Sequence, residues 1–160
     1  MTVEIERSVV LAASPAEVFA HVDDLSRYPE WMELVHDVAP AAPDAPDRPT
    51  WDVELRAHIG PLARSKRLRM ARTVHRPAAR VVFERAEVDG REHAPWVLEA
   101  TTRPLTAGPT GSTEPGASTE LTMHLRYGGS LWTGALLQRV LDEHVERGAA
   151  ALVAMLGAPH

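Results

Sequence analysis

The sequence predicts an α+β fold in which helices cover one face of an antiparallel sheet, and three observations support this. Residues 130–157 have the apolar periodicity of one long helix. Residues 50–59 and 119–127 alternate apolar and polar side chains, which is typical of antiparallel strands with one face in water. Because hairpin-linked strands pair antiparallel, helices at the two ends of the chain are expected to share one face of the sheet, which should curl around the last helix.

Length and composition set limits on the classes of protein that this chain can belong to. It has 160 residues, no cysteine and a formal net charge of −5. This length suits a single domain over residues 1–160 that needs no disulfide or structural metal. The acidic balance argues against nucleic acid as a partner, and no apolar run suits a signal peptide or a membrane-spanning helix. We therefore expect a cytoplasmic protein, monomeric or homodimeric, with no integral membrane association.

The first third of the chain predicts one strand and two short helical segments. Val3–Leu11 is rich in β-branched residues and is predicted to form a strand. Ser14, followed by Pro15 and by Glu17 three residues later, has the spacing of a capping box and begins a short helix. A second helical turn is predicted within residues 25–32, and the four prolines of residues 40–49 predict a loop.

The middle of the chain predicts a run of five or six consecutive strands. Alternating parity and Gly or Pro turns mark five of them: Thr50–Ile59, Ala63–Val74, Arg80–Val88, Trp96–Arg103 and Thr119–Tyr127. In the second of these, Arg72 shares the parity of the apolar residues Leu68, Met70 and Val74. Parity in the third is ambiguous, which leaves the facing of Phe83 open. A loop rich in Gly, Pro, Ser and Thr is predicted over residues 104–118.

The last helix has a polar half and an apolar half. Ser130 is a candidate N-cap, and Gly157 followed by Pro159 predicts its end. His144 lies within the apolar half, and Gly148 leaves a notch one turn later. The apolar half also contains Leu137, Val140, Leu141, Val145, Ala151, Leu152 and Met155. A long helix with a polar group and a notch on its covered side predicts that it covers a cavity.

Five features, in their order and spacing, resemble the START-like (SRPBCC) superfamily of the polyketide cyclase/dehydrase and lipid-transport type. They are the capped SPAEVF helix, Asp24 with Tyr28-Pro29-x-Trp31, the Asp89-Gly90 turn, the Thr119-Glu120-Leu121-Thr122 strand and the long terminal helix. The resemblance implies a helix-grip fold, as in START and Bet v 1 proteins: a curved antiparallel sheet wrapped around the C-terminal helix, with an elongated apolar cavity between them. Members bind sterols, lipids, flavonoid-like or polyketide molecules, and some are aromatase/cyclases. No catalytic signature of the family can be carried over residue by residue, and we expect no cofactor.

Two polar residues at apolar positions are candidates for catalysis. His144 could bond a ligand carbonyl or hydroxyl, or transfer protons, because imidazole titrates near neutral pH. It could equally be a core histidine bonded to a neighbouring group. Arg72 could stabilise an enolate or another anionic ligand. Alternatively, its side chain extends to the end of the strand or pairs with Glu84 or Glu99.

The predicted lining of the cavity is apolar and aromatic, and the same positions are compatible with simple core packing. The candidates are Trp31, Leu55, Met70, Trp96, Leu98, Tyr127, Leu137 and Leu141. The arginine-rich run at residues 64–72 contains no aromatic residue and is interpreted as a solvated strand face, not a nucleic-acid site. Phosphate-binding glycine loops, nucleophile elbows and zinc-protease motifs are missing, and the histidines lack ligand spacing, so no metal is expected.

Three functions remain open at this stage. The first is binding of a hydrophobic small molecule of lipid, sterol, polyketide or aromatic type between the last helix and the sheet. The second is a polyketide aromatase/cyclase or dehydrase in which Arg72 polarises the substrate and His144 transfers a proton. The third is a non-catalytic module that regulates a partner protein and whose cavity is largely filled by side chains. Several polar groups converging in the cavity would favour the enzyme, and a small cavity would favour the partner module.

Overall fold

The computed structural model describes residues 2–43, 45–59, 61–105, 117–128 and 134–158, and the side chains of residues 59 and 134–137 lie outside this description. The described elements follow the predicted order of strand, short helices, strands and long helix. The strands are β1 (Thr2–Leu11), β2 (Val35–Ala41), β3 (Thr50–Ile59), β4 (Leu62–Arg76), β5 (Arg80–Arg85), β6 (Trp96–Leu105) and β7 (Ser118–Gly128). The helices are α1 (Pro15–Phe19), a 3₁₀ turn (Leu25–Glu30) and α2 (Gly134–Leu156).

All seven strands form one antiparallel sheet in the order β1-β7-β6-β5-β4-β3-β2. From β2 onward each strand pairs with the next, and β7 returns to pair with β1. The face toward the helices, called the inner face here, carries the buried apolar residues of alternate positions. Inner-face residues include Val3, Ile5, Trp51, Val53, Leu68, Met70, Val81, Phe83, Trp96, Ala100, Leu121, Met123, Leu125 and Tyr127.

Strand β2 was not predicted: residues 33–39 were assigned to no element, and residues 40–49 were interpreted as a loop because of their prolines. Pro40 lies opposite Trp51, and Ala41 opposite Thr50, in the ladder between β2 and β3. Proline is tolerated here because β2 is an edge strand, where one side of the backbone needs no ladder partner.

The short helices begin as the sequence predicts. The hydroxyl of Ser14 accepts from the amide of Glu17, and the Glu17 carboxylate accepts from the amide of Ser14, which completes the capping box. The Asp24 carboxylate caps the 3₁₀ turn by accepting from the amide of Ser26 at 2.9 Å. These two caps place Tyr28 in the core, where it is fully buried.

Helix α2 packs against β1 and β3, on opposite flanks of the sheet. It ends as predicted: Gly157 adopts a positive φ of 97°, and its amide donates to the carbonyl of Val153. The guanidinium of Arg7 holds the helix to β1 through two hydrogen bonds to Asp142, at 3.0 and 2.8 Å. The proposed N-cap Ser130 lies outside the described residues. Met155, expected on the covered half, is 45% exposed.

Strand β4 departs from regular alternation at two places. A register shift between Arg72 and Val74 sets Val74 opposite Val82, so Val74 does not share the inner face with Leu68 and Met70. The run at residues 64–72 is also not uniformly solvated. Arg69 is 9% exposed, and its guanidinium donates to the carbonyls of Ala86 and Ala42, both at 2.6 Å.

No helix in the described residues is long and apolar enough to span a membrane.

Candidate functional site

Two apolar residues of the inner face stay partly exposed. Leu98 lies on β6, an interior strand of the sheet, between Phe83 of β5 and Leu125 of β7, and both of these neighbours are buried. Leu98 itself stays partly exposed, as does Leu55 on β3. The strip of the inner face that contains Leu55 and Leu98 is called the inner groove here.

One end of the inner groove, called the Tyr127 end here, is formed by Lys66, Arg85, Trp96 and Tyr127. Trp96 and Tyr127 are paired in register across β6 and β7, and the centres of their rings lie 4.5 Å apart. The Nζ of Lys66 lies 5.8 Å from the centre of the Tyr127 ring. Burial raises the pKa of the Tyr127 hydroxyl, although Arg85 opposes this shift. The indole Nε1 of Trp96 is buried without a hydrogen-bond partner.

The opposite end of the sheet, called the Tyr28 end here, is packed by α1, the 3₁₀ turn and the residues that follow it. The Tyr28 hydroxyl donates to the carbonyl of Val22 at 2.9 Å, and burial raises its pKa well above the usual value. The Trp31 indole donates to the carbonyl of His21 at 3.0 Å and packs on the Tyr28 ring at 4.7 Å. A Cβ added to Gly148 would meet Met32 at 3.2 Å and Trp31 at 3.3 Å. The predicted notch in α2 is therefore occupied by these two side chains.

Arg72, predicted as a polarising group, lies on the inner face opposite Phe83, near the Tyr28 end. Its Nη1 donates to the backbone carbonyl of Asp23 at 2.9 Å. Neither carboxylate considered as its alternative partner is bonded to it. Glu84 accepts from Thr73 and Glu99 from Arg80. In this structure Arg72 fastens the segment after α1 to β4.

His144, predicted as a proton-transfer group, is 3% exposed, and its Nδ1 is buried without a hydrogen-bond partner. It borders a pocket of about 370 Å³ with Pro29, Glu33, Val35, His36, Arg56 and His58. Burial lowers the pKa of His144, and the nearby Arg147 and His58 lower it further against the opposing effect of Glu33 and Glu143. A neutral imidazole with a free nitrogen can accept a hydrogen bond or a proton.

The other predicted lining residues divide by position. Leu55, Met70, Trp96, Leu98 and Tyr127 all lie on the inner face, and Leu141 is 1% exposed on the covered side of α2. Leu137 falls among the residues whose side chains are not described. No hydrogen bond or ion pair joins Arg72 to His144 in the described part of the chain.

Sequence reasoning missed Lys66 and Arg85. Lys66 was placed with the solvated arginine run, although it has the parity of Leu68 and Met70 and lies opposite Leu55. Arg85 lies opposite Met70, and its side chain is only 8% exposed. The parity of Lys66 predicts a side chain on the inner face, and only its positive charge had placed it on the solvated face.

Three potential metal ligands approach one another in the loop between β5 and β6, where the sequence predicted no metal site. One ligand atom from each of Glu87, Asp89 and His93 lies within 4.8 Å of the others. Glu87 accepts from Arg85, and Asp89 accepts from the amide of Arg91 and lies 2.8 Å from His93. These bonds account for the arrangement of the three side chains.

The chain matches a family model over residues 2–157, and the family is described as polyketide cyclase / dehydrase and lipid transport. The chain belongs to this family. The match covers nearly the whole sequence and confirms the resemblance to the START-like superfamily.

Solved structures show the same fold at low sequence identity. A START superfamily protein from Mycobacterium smegmatis is 19% identical, with a TM-score of 0.71, over 96% of this chain and 97% of that one. The Zhui aromatase/cyclase from Streptomyces sp. R1128 is 11% identical, with a TM-score of 0.68, over 98% and 94%. The di-domain aromatase/cyclase StfQ of the steffimycin biosynthetic pathway is 15% identical, with a TM-score of 0.65, over 98% of this chain and 51% of that one. The helix-grip fold predicted from the sequence is thereby confirmed. A comparison with curated protein sequences gives no significant match.

Proposed function

We propose that this member of the polyketide cyclase/dehydrase and lipid-transport family binds a hydrophobic small molecule in the inner groove, between α2 and the sheet. The partial exposure of Leu98 carries this proposal, because it marks unfilled space on an otherwise buried apolar face. Burial of apolar ligand surface there would contribute about 25 cal/mol per Å². Trp96 and Tyr127 would line one end of the bound molecule, and Leu55, Met70 and Leu141 would line its length. Lipids, sterols, polyketides and flat aromatic molecules all have the necessary apolar surface.

Occupancy of the groove can be tested by filling it. A tryptophan in place of Leu98 projects into the groove, whereas the adjacent Val97 lies on the other face of β6. Native mass spectrometry of freshly purified protein would detect a co-purifying apolar molecule, and 1-anilinonaphthalene-8-sulfonate would report apolar binding by its fluorescence. We expect Leu98→Trp to lose most of this binding and Val97→Trp to retain it. Equal binding by the two variants would contradict the proposal, as would an empty wild-type protein that does not bind the dye.

A second candidate function is a cyclase or dehydrase, favoured by the free Nδ1 of the buried His144. In this alternative, His144 would accept a proton from a ketone substrate, and Arg72 would stabilise the enolate that forms. The test compares Arg72→Ala and His144→Ala with wild type for both affinity and turnover of a poly-β-ketone analogue. Turnover that is lost while affinity is retained would support the enzyme. Unchanged turnover in His144→Ala would remove it.

A further inference from the structure

The side chain of Lys66 lies across the inner groove. Lys66 is on β4, and Tyr127 is on β7, with β5 and β6 between them in the sheet. Neighbouring strands are about 4.8 Å apart, so three intervals correspond to roughly 14 Å along the sheet. Nevertheless, the Nζ of Lys66 is 5.8 Å from the Tyr127 ring. The curled sheet and the extended lysine stem together bring the ammonium group to the Tyr127 end of the groove.

Among the residues that the structure describes, this ammonium group has no carboxylate within ion-pair distance. Lys66 is the only lysine of the chain, and its Nζ faces the ring of Tyr127. Burial and the charge of Arg85 lower the pKa of Lys66, and Glu87 opposes this shift from longer range. The carboxylate of Glu87 is already engaged. One of its oxygens accepts from both the Nε of Arg85 and the amide of Arg69, each at 3.0 Å. Lys66, Arg85 and Glu87 therefore carry one positive charge in excess.

A second donor without an acceptor lies beside the same ring. Trp96 is 6% exposed, its ring contacts Tyr127 at 4.5 Å, and its Nε1 has no partner. Indole nitrogen can only donate a hydrogen bond. Buried donors are normally paired, so the indole N–H of Trp96 lacks an acceptor that a bound molecule could supply. The partly buried ammonium on the same ring would favour an anionic acceptor.

We propose that the Tyr127 end of the inner groove binds the carboxylate of an amphipathic acid. The carboxylate would accept from the Nζ of Lys66 and the Nε1 of Trp96, and the apolar part of the molecule would extend along Leu98. This inference rests on the proposed function and specifies the ligand class: an apolar chain or ring system that ends in a carboxylate. The neutral ester or alcohol of the same molecule would lack the charge that Lys66 recognises.

The test measures binding of dodecanoic acid and of its methyl ester at pH 7.5 by displacement of a fluorescent fatty-acid probe. We expect wild type to prefer the acid by about tenfold or more, the range of one charged hydrogen bond. Lys66→Met should remove that preference by weakening binding of the acid much more than that of the ester. Arg64→Met is the matched control, because Arg64 has the parity of Lys66 on β4 but is exposed. It should keep the preference.

Two further variants make the result specific. Lys66→Arg should retain most of the preference for the acid, and Trp96→Phe should reduce it by weakening binding of the acid more than that of the ester. Circular dichroism establishes that each variant is folded, and Lys66→Gln replaces Lys66→Met if that variant does not fold. If acid and ester bind wild type equally, and Leu98→Trp loses binding of both, the result supports binding in the inner groove and shows that the proposed carboxylate site is wrong. If neither probe binds wild type, both proposals fail.

Discussion

The two ends of the sheet differ in how their aromatic and cationic donors are paired. At the Tyr28 end, the Tyr28 hydroxyl, the Trp31 indole and the Arg72 guanidinium each donate to a backbone carbonyl, although the Nδ1 of His21 stays unpaired there. At the Tyr127 end, the Trp96 indole has no acceptor, and the Lys66 ammonium has no carboxylate partner among the described residues. Both ends contain a buried tryptophan packed on a tyrosine. One end thus pairs these donors within the chain, and the other is where we propose that a second molecule supplies the acceptor.

The two ends approach each other near the middle of the sheet. The centre of the Tyr28 ring lies 5.9 Å from that of Phe83, which is in register with Leu98 and two residues from Arg85 on β5. Variants at the two ends are therefore compared as single substitutions, since neighbouring sites need not have additive effects on stability.

The largest expected effect is on stability at the Tyr28 end. Trp31→Ala removes a buried ring that fills the space at Gly148, and it should lower the free energy of unfolding by about 3–5 kcal/mol. Urea denaturation followed by circular dichroism measures this loss. Met155→Ala is the control, since Met155 is 45% exposed, and it should change stability by about 0.5 kcal/mol at most. Similar losses in the two variants would contradict the packing described here.

Gly148→Val tests the same contact from the helix side. The added methyl groups would press on Met32 and Trp31, whose atoms lie 3.2–3.3 Å from the position of the new Cβ. Overpacking of this kind should cost about 1–3 kcal/mol, measured in the same urea experiment. Ala150→Val, at an exposed position on α2, carries only the lower helix propensity of valine. A Gly148 variant as stable as the Ala150 variant would show that the notch is open.

A matched pair of conservative variants compares the two indoles directly. Trp31→Phe leaves the carbonyl of His21 without its donor, whereas Trp96→Phe removes a donor that has no partner. Both substitutions remove the same atoms, but only Trp31→Phe also removes a hydrogen bond. Trp31→Phe should therefore be less stable than Trp96→Phe by about 1 kcal/mol. Thermal unfolding without added ligand measures the difference. A Trp96→Phe variant less stable than Trp31→Phe would contradict the difference in hydrogen bonding between the two indoles.

The smallest effect concerns pH. Burial lowers the pKa of His144, and it also lowers that of His21 at the Tyr28 end, where Arg27 adds to the shift. The unfolded chain therefore binds more protons just below pH 6.5, and stability should fall as the pH is lowered through that window. His144→Gln and His21→Gln should each flatten the dependence of the melting temperature between pH 7 and 5. If the variant with both substitutions has the same pH dependence of the melting temperature as wild type, other groups cause that dependence.

The elements of the fold were predictable wherever local chemistry determines them. The capping box at Ser14, the clean alternation of β7 and the glycine at the end of α2 each specify structure within a few residues. The edge strand β2 was missed because its proline is compatible with an edge but not with a central strand. Phe83 could not be assigned a face, because Val81, Val82 and Phe83 are all buried and such a strand shows no alternation.

The candidate site was less predictable than the fold. Parity placed Leu55, Met70, Leu98 and Tyr127 correctly on the inner face, since strand periodicity is a local property. The interior position of Lys66 depends on how far the sheet curls, which no short stretch of sequence determines. The contact of Arg72 with Asp23 likewise joins residues 49 positions apart, and it depends on how the segment after α1 packs.

An NMR titration of the tryptophan indoles shows directly whether the Trp96 N–H gains an acceptor when an acid binds. The chain has four tryptophans, so the indole N–H region of a ¹⁵N spectrum contains four signals, which single Trp→Phe variants assign. On addition of dodecanoic acid, the Trp96 N–H signal should move downfield as it gains an acceptor, and the Trp31 signal should stay in place. A Trp96 signal that does not move while the acid binds, or a shift confined to Trp31, would show that the acid does not bind at the Tyr127 end.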